Sequence, residues 1–121
     1  MATVKYTVAE FGRNTKVFTW TPLTNANVDG NAISAEYADY ADRCVHILGT
    51  FDSATVVWQG GNDGTNYLTL TDPSSTAISK TAAGIEQVLE GALYQKPSTS
   101  GGGASQSLTV IAVCRRVQRP L

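Results

Sequence analysis

The sequence predicts an all-β chain, a single-domain, jelly-roll-like β-sandwich of about eight strands. Three observations carry this. Apolar and β-branched residues alternate with polar ones in short runs, the period of a half-buried strand. Clusters of Gly, Asn, Asp, Pro and Ser separate the runs and supply turn chemistry. No helical period persists long enough for a helix to stand by itself. At 121 residues the chain reads as one domain, 1–121, long enough to bury a core.

Residues 3–9 alternate, with Val4, Tyr6 and Val8 on one face, and Glu10-Phe11-Gly12-Arg13-Asn14 turns the chain. Residues 15–21 put Lys16, Phe18 and Trp20 on one face and Val17 and Thr19 on the other, which suits a pleated surface. Residues 22–31 are polar and loop-like, with Asn25, Asn27, Asp29, Gly30 and Asn31, so 1–40 is expected to include a docking arm or a long crossover. Within 32–40, Ile33, Ala35 and Tyr37 alternate, which favours a strand over a loose helical turn. Residues 42–51 are the clearest buried strand. Cys44, His46 and Leu48 face one way, Val45, Ile47 and Gly49 the other, and apolar character on both faces predicts cover on both sides.

A hairpin follows. Val56 and Trp58 share one face before Gly60-Gly61-Asn62-Asp63-Gly64, and Leu68 and Leu70 share one after it. The glycines supply positive φ for the turn, and the length of the polar run predicts a long or bulged loop. Asp72-Pro73-Ser74-Ser75 is a second turn, and 77–81 a short strand. Residues 84–90 fit either period: Ile85, Val88 and Leu89 are spaced for a helix, Ile85, Gln87 and Leu89 for a strand. Residues 92–96 read as a strand ending at Pro97, and 98–106, with Gly101-Gly102-Gly103, as a flexible loop. The last strand, 107–116, places Leu108, Val110, Ala112 and Cys114 on one face and Ile111 and Val113 on the other.

Charge and composition narrow the function classes. A net charge of −1 lacks the basic excess by which nucleic-acid binders neutralise phosphates. Residues 1–5 carry no signal-peptide core, and no apolar run approaches membrane-spanning length, so neither nucleic acid nor membrane is an expected partner. The two cysteines, Cys44 and Cys114, read as buried free thiols, with a disulfide open only if their strands are neighbours of suitable geometry. No Cys/His spacing suits zinc. The single histidine, His46, sits in an apolar strand, where a structural role outweighs that of a base, so a nucleophilic triad has no support. Asp52, Asp63 and Asp72 occupy turn positions that aspartate favours for local hydrogen bonding, which outweighs a glycosidic carboxylate pair. Asn62, Asp63 and Asn66 lack the ligand spacing of a calcium loop, and Gly101-Gly102-Gly103 lacks the Lys-Ser/Thr of a phosphate loop. The expectation is a non-enzyme with no cofactor and no metal. Trp20, Trp58, Tyr67 and Tyr94 are the aromatics available to stack on sugars, though core positions suit them better. Arg115, Arg116 and Arg119 fall within five positions and suit either a solvated tail or contact with an acidic partner.

Val45-His46-Ile47-Leu48-Gly49-Thr50-Phe51, the Asn62-Asp63-Gly64-Thr65 turn, Leu68-Thr69-Leu70-Thr71-Asp72-Pro73, Thr81-Ala82-Ala83-Gly84-Ile85-Glu86 and Leu108-Thr109-Val110-Ile111-Ala112-Val113-Cys114-Arg115-Arg116 follow one another in the chain. In this order they resemble the capsid decoration (cement) proteins of tailed bacteriophages, over residues 42–116. The resemblance implies a homotrimer on the outside of the virion capsid, made in the host cytoplasm, that clamps neighbouring major capsid protein subunits. The expected partner contacts are Lys5, Arg13, Asn25, Asn27, Asp29, Arg115, Arg116 and Arg119. Tyr94-Gln95-Lys96-Pro97 departs from the family pattern, with lysine in place of the arginine before the proline. Similar hairpins occur in β-sandwich tail and adhesion modules, so a carbohydrate-binding module of a tail or head fibre is the alternative.

Overall fold

A computed structural model describes residues 2–116, which form two antiparallel sheets from nine strands rather than about eight. The first sheet takes β1 (Thr7–Glu10), β2 (Thr15–Leu23), β9 (Ser107–Arg115), β3 (Asp42–Thr50) and β7 (Gly84–Gln87), in that spatial order. The second is built on β4 (Thr55–Gly61). β8 (Tyr94–Ser100) pairs with the whole of β4, while β5 (Leu68–Thr69) and β6 (Ser79–Lys80) pair with short stretches of it.

The long central strands form where alternation is strongest. In β2, β3 and β9 one face is the core: Phe18 and Trp20; Val45 and Ile47; Leu108, Val110, Ala112 and Cys114. From the second sheet Val56, Trp58, Leu70 and Ile78 close over them. A chain of edge-to-face aromatic contacts links Tyr40, Tyr37, Phe18, Tyr6, Trp20 and Trp58, so the two tryptophans join the sheets at 5.5 Å and 73°. Such pairs add about 0.5–1.5 kcal/mol each beyond area burial.

Four expectations are corrected by packing. The stretch 32–40 is not a strand. Ser34 caps a single 3₁₀ turn, Ala35–Tyr37, by accepting the Glu36 N–H. Pro97 does not end a strand but lies inside β8. Its carbonyl accepts the Gly30 N–H, and beside it Trp20 Nε1 donates to Asn31 O at 3.0 Å. The 22–31 stretch does not project as an open loop. β2 runs through Pro22 to Leu23, and 28–33 lies along β8, bonded through Thr99 N to Val28 O, Gly30 N to Pro97 O and Ile33 N to Gln95 O. Val4 pairs in turn with Gly30. Finally, β3 is covered on one side only: Val45 and Ile47 are buried, whereas Cys44, His46 and Leu48 are half-buried on the outer face.

The glycine-rich stretch is pinned as well. Asp52 holds it by accepting Gly103 N at its carbonyl and Ser105 N at its carboxylate. The 84–90 ambiguity resolves as β7 followed by irregular chain, with Val88 buried.

Candidate functional site

The sheets differ in what they show outward. The outer face of the second carries Thr55, Val57, Gln59, Tyr94, Lys96, Ser98 and Ser100, polar apart from Val57 and the Tyr94 ring. The outer face of the first is apolar at its centre. Register aligns Ala9, Val17, Val113 and Cys44 in one row, and Thr19, Ile111, His46 and Ile85 in the next. Thr109 and Leu48 begin a third. None of these residues is buried, and Ile85 is 60% exposed.

One end of this sheet gathers the arginines. Lys16, Cys114 and Arg43 share a register row, and so do Thr15, Arg115 and Asp42. Arg116 N donates to Asn14 O, and Tyr40 Oη donates to Arg13 O, so Arg13 and Arg116 join the same end. Arg43 points inward and is only 2% exposed. Its Nε donates to Tyr40 O at 2.9 Å and its Nη2 to Tyr37 O at 3.3 Å, while its Nη1 has no partner among the described residues. Burial lowers its pKa. The two tyrosines it anchors carry further cations. Lys16 Nζ lies 5.3 Å from the Tyr40 ring centre and Arg116 5.0 Å, distances at which ring quadrupoles attract cations. The only ion pairs among the described residues are Lys16 with Glu10 and Lys80 with Glu86, so no described arginine is paired with a carboxylate.

Of the expected contact residues, Arg13, Arg115 and Arg116 have their backbones at this same end of the sheet, and all three are exposed. The structure does not bring the others to them. Lys5 and Asn25 are exposed elsewhere on the chain. Asn27 and Asp29 do internal work: Asn27 accepts the Ala2 N–H, and Asp29 accepts the Ser98 hydroxyl. Arg119 lies outside the described residues. Sequence reasoning missed Arg43, Lys16, Tyr37 and Tyr40 as parts of this end. The available signal was Arg43 at the parity of Val45 and Ile47, an inward charge in an apolar strand.

The cysteines lie on adjacent strands but face opposite ways: Arg43, not Cys44, is the register partner of Cys114. Both are free thiols, Cys44 half-buried rather than buried, and burial pushes Cys114 up to about 11.

An open groove of about 720 Å³ lies beside the hairpin loop, with Gly60, Leu68, Leu70 and Ala92 as apolar lining and Asn62, Asp63, Asn66 and Glu90 as polar lining. Its acids are already engaged. Asp63 accepts Thr65 N and Asn66 N at 2.9 and 2.8 Å, which lowers its pKa from 3.8 to about 2, and Glu90 accepts Thr71 N and its hydroxyl. Asp72 likewise accepts Ser74 N and Thr76 N. Asp63 is therefore expected to contribute stability above pH 3.8 that is lost as pH falls through 2. Thermal melts of Asp63→Ala should show a flatter acid limb between pH 4 and pH 2 than the parent; identical limbs would remove Asp63 from the acid response.

Both tryptophans are core, at 0% and 1% exposure, which removes them as sugar platforms. Of the remaining aromatics, Tyr67 has the Lys96 ammonium 4.8 Å from its ring centre. Among the described residues no three His, Cys, Asp or Glu side chains converge as metal ligands, and no helix is long and apolar enough to cross a membrane. Compared with protein-family models, curated proteins and solved structures, the chain matches none.

Proposed function

We propose that the chain is a non-enzymatic virion structural protein that binds the outside of a tailed-phage capsid, self-associates as a homotrimer and stabilises contacts between major capsid subunits. The observation that carries this reading is the asymmetry of the two outer faces. An apolar sheet face left half-open, opposite one that is polar, has the composition of an interface core. The five strands of the first sheet span roughly 550 Å² in projection, at ~3.3 Å per residue and ~4.8 Å per strand, the order of the ~800 Å² each partner gives to a standard interface. Arg115 sits where this face meets the sheet end, which gives the apolar centre a charged rim. The order of motifs over 42–116 supports the phage assignment. The adhesion alternative loses its two tryptophans and is left with Tyr67 and Tyr94.

The test is depletion and rescue. Heads lacking this protein are expected to lose DNA at lower temperature and lower ionic strength than complete heads. Added parent protein should restore them, at hundreds of copies per particle by gel densitometry. Ile111→Lys, which charges the centre of the apolar face, should fail to restore them while keeping the parent circular dichroism. Depleted heads as robust as complete ones overturn the capsid role. Full rescue by Ile111→Lys overturns the role of the face.

A further inference from the structure

We propose that the arginine-bearing end of the first sheet is a carboxylate-recognition site, and that the partner segment it takes is an acidic stretch of protein. This rests on the capsid-binding reading for where the partner resides, but not for its chemistry.

Three features of the end point to an anion. Arg13, Arg115 and Arg116 are exposed and free of carboxylate partners among the described residues. Behind them, the buried Arg43 cation is held, among the described residues, only by the neutral carbonyls of Tyr37 and Tyr40, with Nη1 unpartnered. Among the described residues no carboxylate pairs with it, and its field adds to that of the surface arginines. Third, Tyr40 holds the Arg116 guanidinium by its ring and the Arg13 backbone by a hydroxyl bond, so the arginines stand on a braced segment rather than a loose tail. Planar guanidinium forks on a positioned backbone match the two oxygens of a carboxylate.

The same end distinguishes protein from nucleic acid. Glu36 and Asp39 are exposed on the segment that carries the tyrosines, and Asp42 shares the Arg115 row, where it accepts Gln87 Nε2 at 2.6 Å. Interspersed acids repel a continuous phosphate backbone but leave room for single side-chain carboxylates. The adjoining Val17, Val113 and Cys44 row offers the apolar contact that a protein partner can use and a phosphate chain cannot.

The experiment measures binding of the full-length protein to poly-L-glutamate and to duplex DNA of equal charge, by fluorescence anisotropy at low salt. The parent is expected to bind poly-L-glutamate more tightly than DNA. The double variant Arg115→Ala/Arg116→Ala should weaken that binding at least tenfold. The charge-matched double Lys80→Ala/Lys96→Ala should change it less than twofold, and Arg115→Lys/Arg116→Lys should recover only part of the loss. All the substituted positions lie outside the core, so the parent melting curve should be retained. Equal losses in the two alanine doubles, full recovery by lysine, or tighter binding to DNA each overturn the proposal. Depleted heads separate it from the capsid role. Heads that take the parent and the arginine double equally well sink the carboxylate site alone. Heads that refuse the parent sink the capsid role and leave the poly-L-glutamate result standing.

Discussion

Trp58→Ala is expected to cost about 4 kcal/mol of folding free energy, read from the midpoint and slope of a guanidinium titration. The magnitude has three sources. Removing a fully buried aromatic side chain leaves a cavity and forfeits transfer free energy, typically about 3–5 kcal/mol for aromatic-to-alanine changes. Trp58 also gives up the edge-to-face contact with Trp20 that joins the two sheets, and the Nε1–H bond to Gln95 Oε1 at 2.8 Å. Gln95 is 1% exposed, so its oxygen would be orphaned in the core. Against a total stability of ~5–15 kcal/mol, such a loss leaves little margin. Trp58→Phe separates the parts, because it keeps most of the apolar area and loses only the indole donor. It should cost about 1–3 kcal/mol, the penalty of an unpaired buried acceptor. A loss under about 1 kcal/mol in Trp58→Ala would show that Trp58 is not a joint between the sheets.

How much of this was legible follows from where each constraint lies. The three longest strands were readable because their information is local. Phe18 and Trp20, Val45 and Ile47, and Leu108 through Cys114 alternate whatever else the chain does, and each set is buried as alternation requires. The stretch 28–33 was not readable, because its bonds run to β8, as in the Asp29–Ser98 bridge, and no local period announces a partner so distant in sequence. Pro97 misled for the same reason. A proline ends a strand only where its N–H is wanted, and that depends on the neighbour. In 32–40 the alternation of Ile33, Ala35 and Tyr37 was genuine but too short to outweigh the Ser34 cap.

The candidate site was legible as a list and not as a place. The C-terminal arginine cluster was visible in sequence, but its union with Arg13 needs the β2–β9 register, and the role of Arg43 needs its burial. Cys44, His46 and Leu48 showed the converse. β3 is apolar on both faces, yet the second face is not covered by the chain's own described residues. That excess of apolar surface over what the fold buries is the link between the sequence pattern and the proposed interface.

Gly61→Ala should destabilise the protein by about 2–3 kcal/mol, more than Gly64→Ala, although positive φ was the expected reason for glycine throughout this turn. Of the two, only Gly64 has positive φ, at 76°. An added Cβ there would meet the Tyr94 ring at 3.5 Å, ordinary contact, leaving a left-handed strain of about 1–2 kcal/mol. At Gly61 the backbone is ordinary, but a Cβ would stand 2.0 Å from Asn66 O. The clash is with backbone, so a rotamer change cannot relieve it. Nor can the loop move freely: Asn62 Oδ1 accepts Leu93 N, Gly61 is paired with Tyr94, and Asp63 ties the Thr65 and Asn66 N–H groups. Something in this set must break, and the Asp63 bonds hold Asn66, the residue whose carbonyl the Cβ would strike. The Gly61→Ala variant should therefore show two signatures together: a lower denaturation midpoint, and an Asp63 carboxyl whose NMR titration moves up from about 2 toward 3.8. In Gly64→Ala the Asp63 titration should stay low, because that substitution strains φ without pushing on Asn66. If Gly64→Ala proves the more damaging of the two, or Asp63 titrates unchanged in a destabilised Gly61→Ala, then close approach of the strand to the loop is not why glycine is needed at position 61.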